Sequence, residues 1–143
     1  MTAETLEGQI QGHTWPVRIQ LRRTAGFRLR ELSPDAIVVS RPSRWGNPFV
    51  VVPAGTEPGL FGGRERVWTV EGPGRFFQGT GPREWAAAYA VRLYRTWLRG
   101  SMKRIEDLVP LLRGHDLACW CPLAFPCHAD VLLELANQPE TVQ

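Results

Sequence analysis

Lysine is nearly missing from this 143-residue chain: Lys103 stands against sixteen arginines. A bias so complete reflects codon usage in a GC-rich genome. The abundance of arginine is therefore no sign of phosphate binding, and only the placement of particular arginines can carry information. The net charge is +3, which does not demand a nucleic-acid partner. No zinc-finger spacing, nucleotide-cradling glycine loop or RNA-recognition signature is present either. Long apolar runs are also lacking, which excludes a membrane-spanning helix as an expectation. The first residues, Met1 to Glu7, have neither the basic nor the apolar region of a secretion signal, so the expected location is the cytoplasm. Cysteine is scarce and odd in number, so a disulfide framework is not expected.

What is present is concentrated. All three cysteines and one of three histidines fall in Cys119-Trp-Cys121-Pro-Leu-Ala-Phe-Pro-Cys127-His128. Three readings of this cluster stand side by side. Cys119, Cys121, Cys127 and His128 form a Cys₃His donor set, chemically suited to zinc. Geometry raises an objection: strand residues two apart are separated by about 6.6 Å, whereas sulfurs on one zinc sit roughly 4 Å apart. The strand would have to curl, and adjacent helical ligands would diverge by about 100°. In the second reading Cys127 and His128 are a catalytic or ligand-binding pair at a helix start, where free N–H groups favour a thiolate or an anion. In the third, the cysteines are small core residues. Cys119 suits the core reading, whereas Cys127 and His128 suit a site.

The second constellation is Ser40-Arg-Pro-Ser-Arg-Trp-Gly-Asn-Pro-Phe49. It follows the short apolar run Ala36 to Val39, a buried strand by pattern. Arg41 leaves that strand directly and can offer a planar cation to phosphate or carboxylate. Ser43 and Asn47 join it as candidate ligand-binding residues. Gly46 and Asn47 tolerate positive φ and Pro48 holds its neighbour extended, so a specific turn is expected. Against this, Trp45 and Phe49 could simply anchor the loop in the core, with Asn47 capping the turn.

Between and around these motifs the chain alternates strand and helix patterns. Residues 1–14 read as a loose arm, and Val17 to Leu21 alternates like a half-buried strand. Arg18, Arg22, Arg23, Arg28 and Arg30 could form a basic face for nucleic acid. Phe49 to Val52 suits a short strand. Residues 53–80, rich in glycine and proline, read as an insertion or flap, with a hairpin pairing Arg66 to Val70 with Arg75 to Gln78. A helix over 82–99 has Pro82 at its start and Gly100 past its end, with Ala86, Tyr89, Ala90, Leu93, Tyr94 and Trp97 inward. A stretch over 102–113 is helical but divided by Pro110. Leu117 to Cys121 is a second buried strand, and a last helix runs over 128–136.

This order predicts one α/β domain over 1–143: a small, mostly parallel sheet flanked by helices, with a Gly/Pro-rich hairpin insertion. Ile37–Val39 and Leu117–Cys121 are the expected central parallel strands. If they are parallel, the 40–49 and 122–127 loops leave the same edge, where ligands of open α/β sheets bind. Arg41, Ser43, Asn47, Cys127 and His128 should then converge there, with part of the 53–80 flap above and Trp45 or Trp120 available to stack a planar base. The expected ligand is a phosphate-bearing, nucleotide-like small molecule, bound or processed. The alternative is a non-enzymatic nucleic-acid or protein adaptor with a structural, zinc-bound or metal-free, Cys/His cluster.

The segments Arg22 to Arg28, Ser40 to Phe49, Arg83 to Leu98, Leu117 to Pro122 and Pro126 to Leu132 together resemble a small family catalogued as domain of unknown function 4326, similar to proteins of actinobacteria and their phages. The likeness runs in order over about 18–137. Its specific signatures are Gly46-Asn-Pro-Phe49 and Cys119-Trp-Cys121 followed by Pro126-Cys-His128. Ala129 departs from the glycine common in the family, and 53–80 is a longer insertion. The resemblance implies a shared fold and assigns no activity. A more distant likeness, to another α/β family with a strand–Cys…Cys-His–helix arrangement, implies the same fold.

Overall fold

The computed structural model describes residues 15–139, so the arm expected over 1–14 lies outside the described residues. Its centre is a three-stranded parallel sheet of β1 (Arg18–Gln20), β2 (Ile37–Val38) and β5 (Leu117–Cys119), in the order β1-β5-β2. β5 is buried along its whole length, which is why it reads as an unbroken apolar run rather than an alternating one. Arg18 pairs with Leu117 on one side and Ile37 with Leu117 on the other. Ile37–Val39 is thus parallel to Leu117–Cys119 as expected, but it forms an edge strand. Only β5 is central, because β1 closes its other side.

A short helical turn, α1 (Leu29–Leu32), joins β1 to β2. The two outer elements, β3 (Val50–Pro58) and β4 (Arg64–Glu71), form a separate antiparallel pair. This corrects the expected hairpin: Arg66 to Val70 pairs with Val51 to Thr56, not with Arg75 to Gln78. The turn is Gly59-Leu-Phe-Gly-Gly63, and Glu71-Gly-Pro-Gly74 merely leads away from the second strand. The apolar run after Phe49 was long enough to extend through Pro53, since an edge position tolerates a proline.

Helix α2 (Arg83–Arg99) starts after Pro82 and ends at Gly100. It buries Ala86, Tyr89, Ala90, Tyr94 and Leu98. Its N-terminal half meets the hairpin in one apolar cluster, with Phe49 and Val70. Its C-terminal half meets the sheet in the other, with Val39, Leu117 and Leu132. The 102–113 stretch is divided near Pro110: a π-helical turn, Arg104–Leu108, gives way to a 3₁₀ turn, Val109–Leu112. Helix α3 (His128–Ala136) buries His128, Ala129, Val131, Leu132 and Ala136. No helix among the described residues is long and apolar enough to cross a membrane.

Candidate metal centre and adjoining cavity

All three sheet strands run the same way, so the chain leaving β2 and the chain leaving β5 emerge at one edge. The strand of β5 stops at Cys119 and bends through Trp120 and Cys121. That bend answers the spacing objection: the Cys119 and Cys121 sulfurs lie 3.8 Å apart. Cys127 is the residue capping α3 and is extended, with φ −144° and ψ 152°, rather than helical. Its sulfur can therefore lie beside the ring of the next residue, 3.6 Å from His128 Nδ1. One donor atom from each of Cys119, Cys121, Cys127 and His128 falls within 4.8 Å of the other three. Tetrahedral zinc with Zn–S near 2.3 Å and Zn–N near 2.0 Å would space sulfurs by about 3.8 Å and sulfur from nitrogen by about 3.5 Å. The donor set fits that ion.

The histidine is prepared for ligation. His128 is 5% exposed, and its Nε2 lies 2.8 Å from the Val39 carbonyl, an acceptor that requires the proton on Nε2. Nδ1 is then the unprotonated atom facing the sulfurs, and the backbone carbonyl is the outer partner that metal-bound histidines characteristically have. Burial holds the imidazole below its ordinary pKa, which keeps it neutral. Among the sulfurs, hydrogen bonds from Cys121 and Cys127 favour the Cys119 thiolate, while the neighbouring Cys119 and Cys127 sulfurs, and after them burial, push Cys121 up.

Arg18 holds the connecting loop. Its Nη2 donates to the carbonyls of Leu123 at 2.9 Å and Phe125 at 2.8 Å, with Pro122 at 3.4 Å. Its Nη1 is 3.6 Å from Asp130 Oδ2. Asp130 in turn accepts the Cys127 backbone N–H at 3.0 Å. Expected on the surface as part of a basic face, Arg18 instead has a side chain 10% exposed. Its alternation on β1 faced it toward the loop between the cysteines. Arg30 is likewise engaged with backbone, at the Ala36 and Pro34 carbonyls.

Beside the cluster lies a cavity of about 290 Å³. Arg41, Asn47, Cys127 and His128 line it, as do Ser40, Trp120 and apolar residues of β3 and α2. Ser43 is not brought there: its hydroxyl accepts the Trp45 N–H at 3.3 Å inside its own turn. Asn47 has both polar ends engaged, Nδ2 on the Ala90 carbonyl and Oδ1 on the Phe49 N–H. Gly46 and Asn47 have no positive φ; the glycine is needed because a Cβ there would lie 2.8 Å from Arg41 Cγ. The expected N–H donors at the start of α3 are turned to Cys127, with Ala129 N–H on its sulfur and Asp130 N–H on its carbonyl. The flap does not cover the site either. Among the described residues none from 53–80 lines the cavity, because β4 turns Val67 and Val70 inward and only Val50 and Val51 reach the cavity. Trp45 is an anchor, donating from Nε1 to the Leu108 carbonyl, whereas Trp120 lines the cavity.

A family model described as Domain of unknown function (DUF4326) matches residues 19–138. The chain belongs to this family. The matched span takes in the whole sheet but Arg18, together with the hairpin, the donor cluster and the cavity lining, so these features sit within the family domain. No curated protein and no solved structure matches the chain. The sequence reading placed Arg18 in a basic face rather than beside the cysteine loop, and gave Ser40 no role of its own. The only signal for Arg18 was its place on an alternating strand, and for Ser40 its place one residue past the buried run.

Proposed function

We propose that this member of the family is a zinc-binding domain that takes a small, phosphate-bearing, nucleotide-like molecule in the cavity walled by its metal ligands. The observation that carries the reading is the four-donor cluster, all of whose residues also line that cavity. Four protein ligands close a tetrahedral shell, which gives zinc a structural role here rather than leaving it a position for a reacting water. The ion would join the end of β5 to the start of α3 across the 122–126 loop. Arg41 supplies the cation facing the cavity, and a nucleotide-like ligand suits its mixture of one charge, polar groups and apolar wall.

Elemental analysis of protein purified without chelator tests the metal. About one zinc per chain is expected, and a strong chelator should unfold the protein, since metal binding is then folding energy. Metal-free protein with unaltered thermal unfolding would refute it. A second reading, a nucleic-acid or protein adaptor with the same structural zinc, draws on the exposed Arg22, Arg23 and Arg28. Its mark would be an affinity for DNA or RNA that falls steeply with added salt.

A further inference from the structure

We propose that the cavity is a nucleoside monophosphate site, in which Ser40 and Arg41 hold the phosphate and Trp120 stacks the base. This rests on the reading that the cavity takes a phosphate-bearing small molecule, and it narrows the class. Size comes first. At about 290 Å³ the cavity lies just under the usual range of small-molecule sites, about 300–1,000 Å³, a size that suits one nucleoside with a short phosphate better than a dinucleotide.

Ser40 is the second observation. It is 8% exposed and lines the cavity, and its hydroxyl is not among the buried side-chain atoms left without a partner, which among the described residues are Arg18 Nη1 alone. A hydroxyl both donates and accepts, so one on a cavity wall can meet a phosphate oxygen. Its position is fixed from behind, because the preceding Val39 donates to the Ala118 carbonyl at 2.9 Å and accepts from His128. Arg41 follows at once. Its Nη1 is spent on the Asn47 carbonyl at 2.6 Å, and among the described residues no other donor of its five-donor fork is engaged. That bond orients the guanidinium without consuming it.

Charge then selects among phosphates. Arg41 is the one arginine or lysine among the lining residues. A single phosphate monoester carries about −1.5 to −2, which one guanidinium and a hydroxyl can meet. A triphosphate would bring charge that nothing else in the lining answers.

Trp120 supplies the last element. It is 44% exposed, and the Arg23 guanidinium lies over its ring at 4.6 Å from the centroid. The parallel register of Val38 with Ala118 brings the chain after β2 beside the chain after β5, so Ser40, Arg41 and Trp120 flank the same opening. Aromatic faces stack bases with little regard to sequence.

The test uses the zinc-loaded full chain and isothermal titration with the four common 5′-ribonucleoside monophosphates. The parent nucleosides, the triphosphates, ribose 5-phosphate and inorganic phosphate complete the panel. At least one monophosphate should bind, with its nucleoside, its triphosphate and ribose 5-phosphate each weaker by about tenfold or more. Trp120→Ala should weaken that monophosphate by about tenfold or more and leave ribose 5-phosphate unchanged. Ser40→Ala and Arg41→Ala should weaken both. Because Arg41 also holds the 41–47 loop, thermal unfolding and zinc content are checked for each variant, and Ser40→Ala and Trp120→Ala decide the matter if Arg41→Ala fails to fold. Ribose 5-phosphate binding as tightly as every monophosphate would overturn this inference and leave the phosphate reading standing. A folded, zinc-loaded protein that binds nothing in the panel would overturn both and leave only the metal centre.

Discussion

Replacing Arg18 with methionine should expose how far the proposed metal centre depends on a residue outside the donor set. Methionine keeps the length of the buried stem and removes the guanidinium. The change deletes two short hydrogen bonds to the Leu123 and Phe125 carbonyls, a long one to Pro122, and the approach to Asp130. Hydrogen bonds to charged groups contribute about 1.5–3 kcal/mol each, so the two short ones set a gross loss of about 3–6 kcal/mol. Two effects reduce it. Leu123 is exposed and the Asp130 side chain is half exposed, so both regain water; and Arg18 Nη1 is itself buried without a hydrogen-bond partner, a cost the mutation removes. A net loss of about 2–4 kcal/mol remains. Since the same loop sets the distance from Cys121 to Cys127, zinc affinity should fall about 10–100-fold, as for other residues that orient ligands. Urea unfolding of the zinc-loaded protein measures the first quantity and competition with a chelating dye the second. Arg18→Lys should rescue little, because an ammonium has no planar fork to reach three carbonyls. Unchanged zinc affinity, with stability within about 0.5 kcal/mol of wild type, would refute the reasoning.

If the cluster binds zinc as proposed, uptake displaces thiol protons, so loading should acidify a weakly buffered solution and affinity should drop as pH falls, measured by dye competition across pH 6–8. The exposed pair of Arg95 and Glu134 should matter little. Arg95 holds the Glu134 carboxyl below its usual range, so whatever it contributes is present above the unfolded carboxylate pKa and lost as pH falls through the lower folded value. Glu134→Gln should therefore cost less than about 1 kcal/mol at neutral pH, and less again in high salt, by urea unfolding.

The parallel sheet was legible because β5 and β2 are short, wholly apolar runs followed by motif loops, and α2 because proline and glycine bracket a regular apolar stripe. The hairpin was misplaced because its first strand carries Pro53 and Gly55, which read as punctuation although an edge strand with an irregular register tolerates both. The donor cluster was visible as residue types, while its feasibility was not. Ideal strand and helix geometry set the sulfurs too far apart, and the structure leaves both ideals at Cys121 and Cys127. Of the loop residues, Arg41 was placed by its position after a strand. Ser43 was not, since the turn directs its hydroxyl back at its own backbone. Arg18 was hidden because no local pattern distinguishes an arginine that grips carbonyls about a hundred residues away from one that faces solvent.

Among the described residues the hairpin packs on the rest of the molecule over its lower half, and its outer half adds an exposed hydrogen bond from Thr80 to Glu57 at 2.8 Å. Val67 and Val70 are buried, Val51 packs against the same cluster and Val50 reaches the cavity; beyond Pro53, outward to Gly63, nearly every residue is exposed. Its shape is that of a cantilever, packed beside the cavity and exposed toward the turn. Chain length there can grow or shrink with little penalty, because loop closure costs rise only slowly with length and no buried contact is disturbed. Insertions and deletions should therefore be tolerated in the outer arm, and the same arm offers a place to graft a reporter whose bulk stays away from the donor cluster.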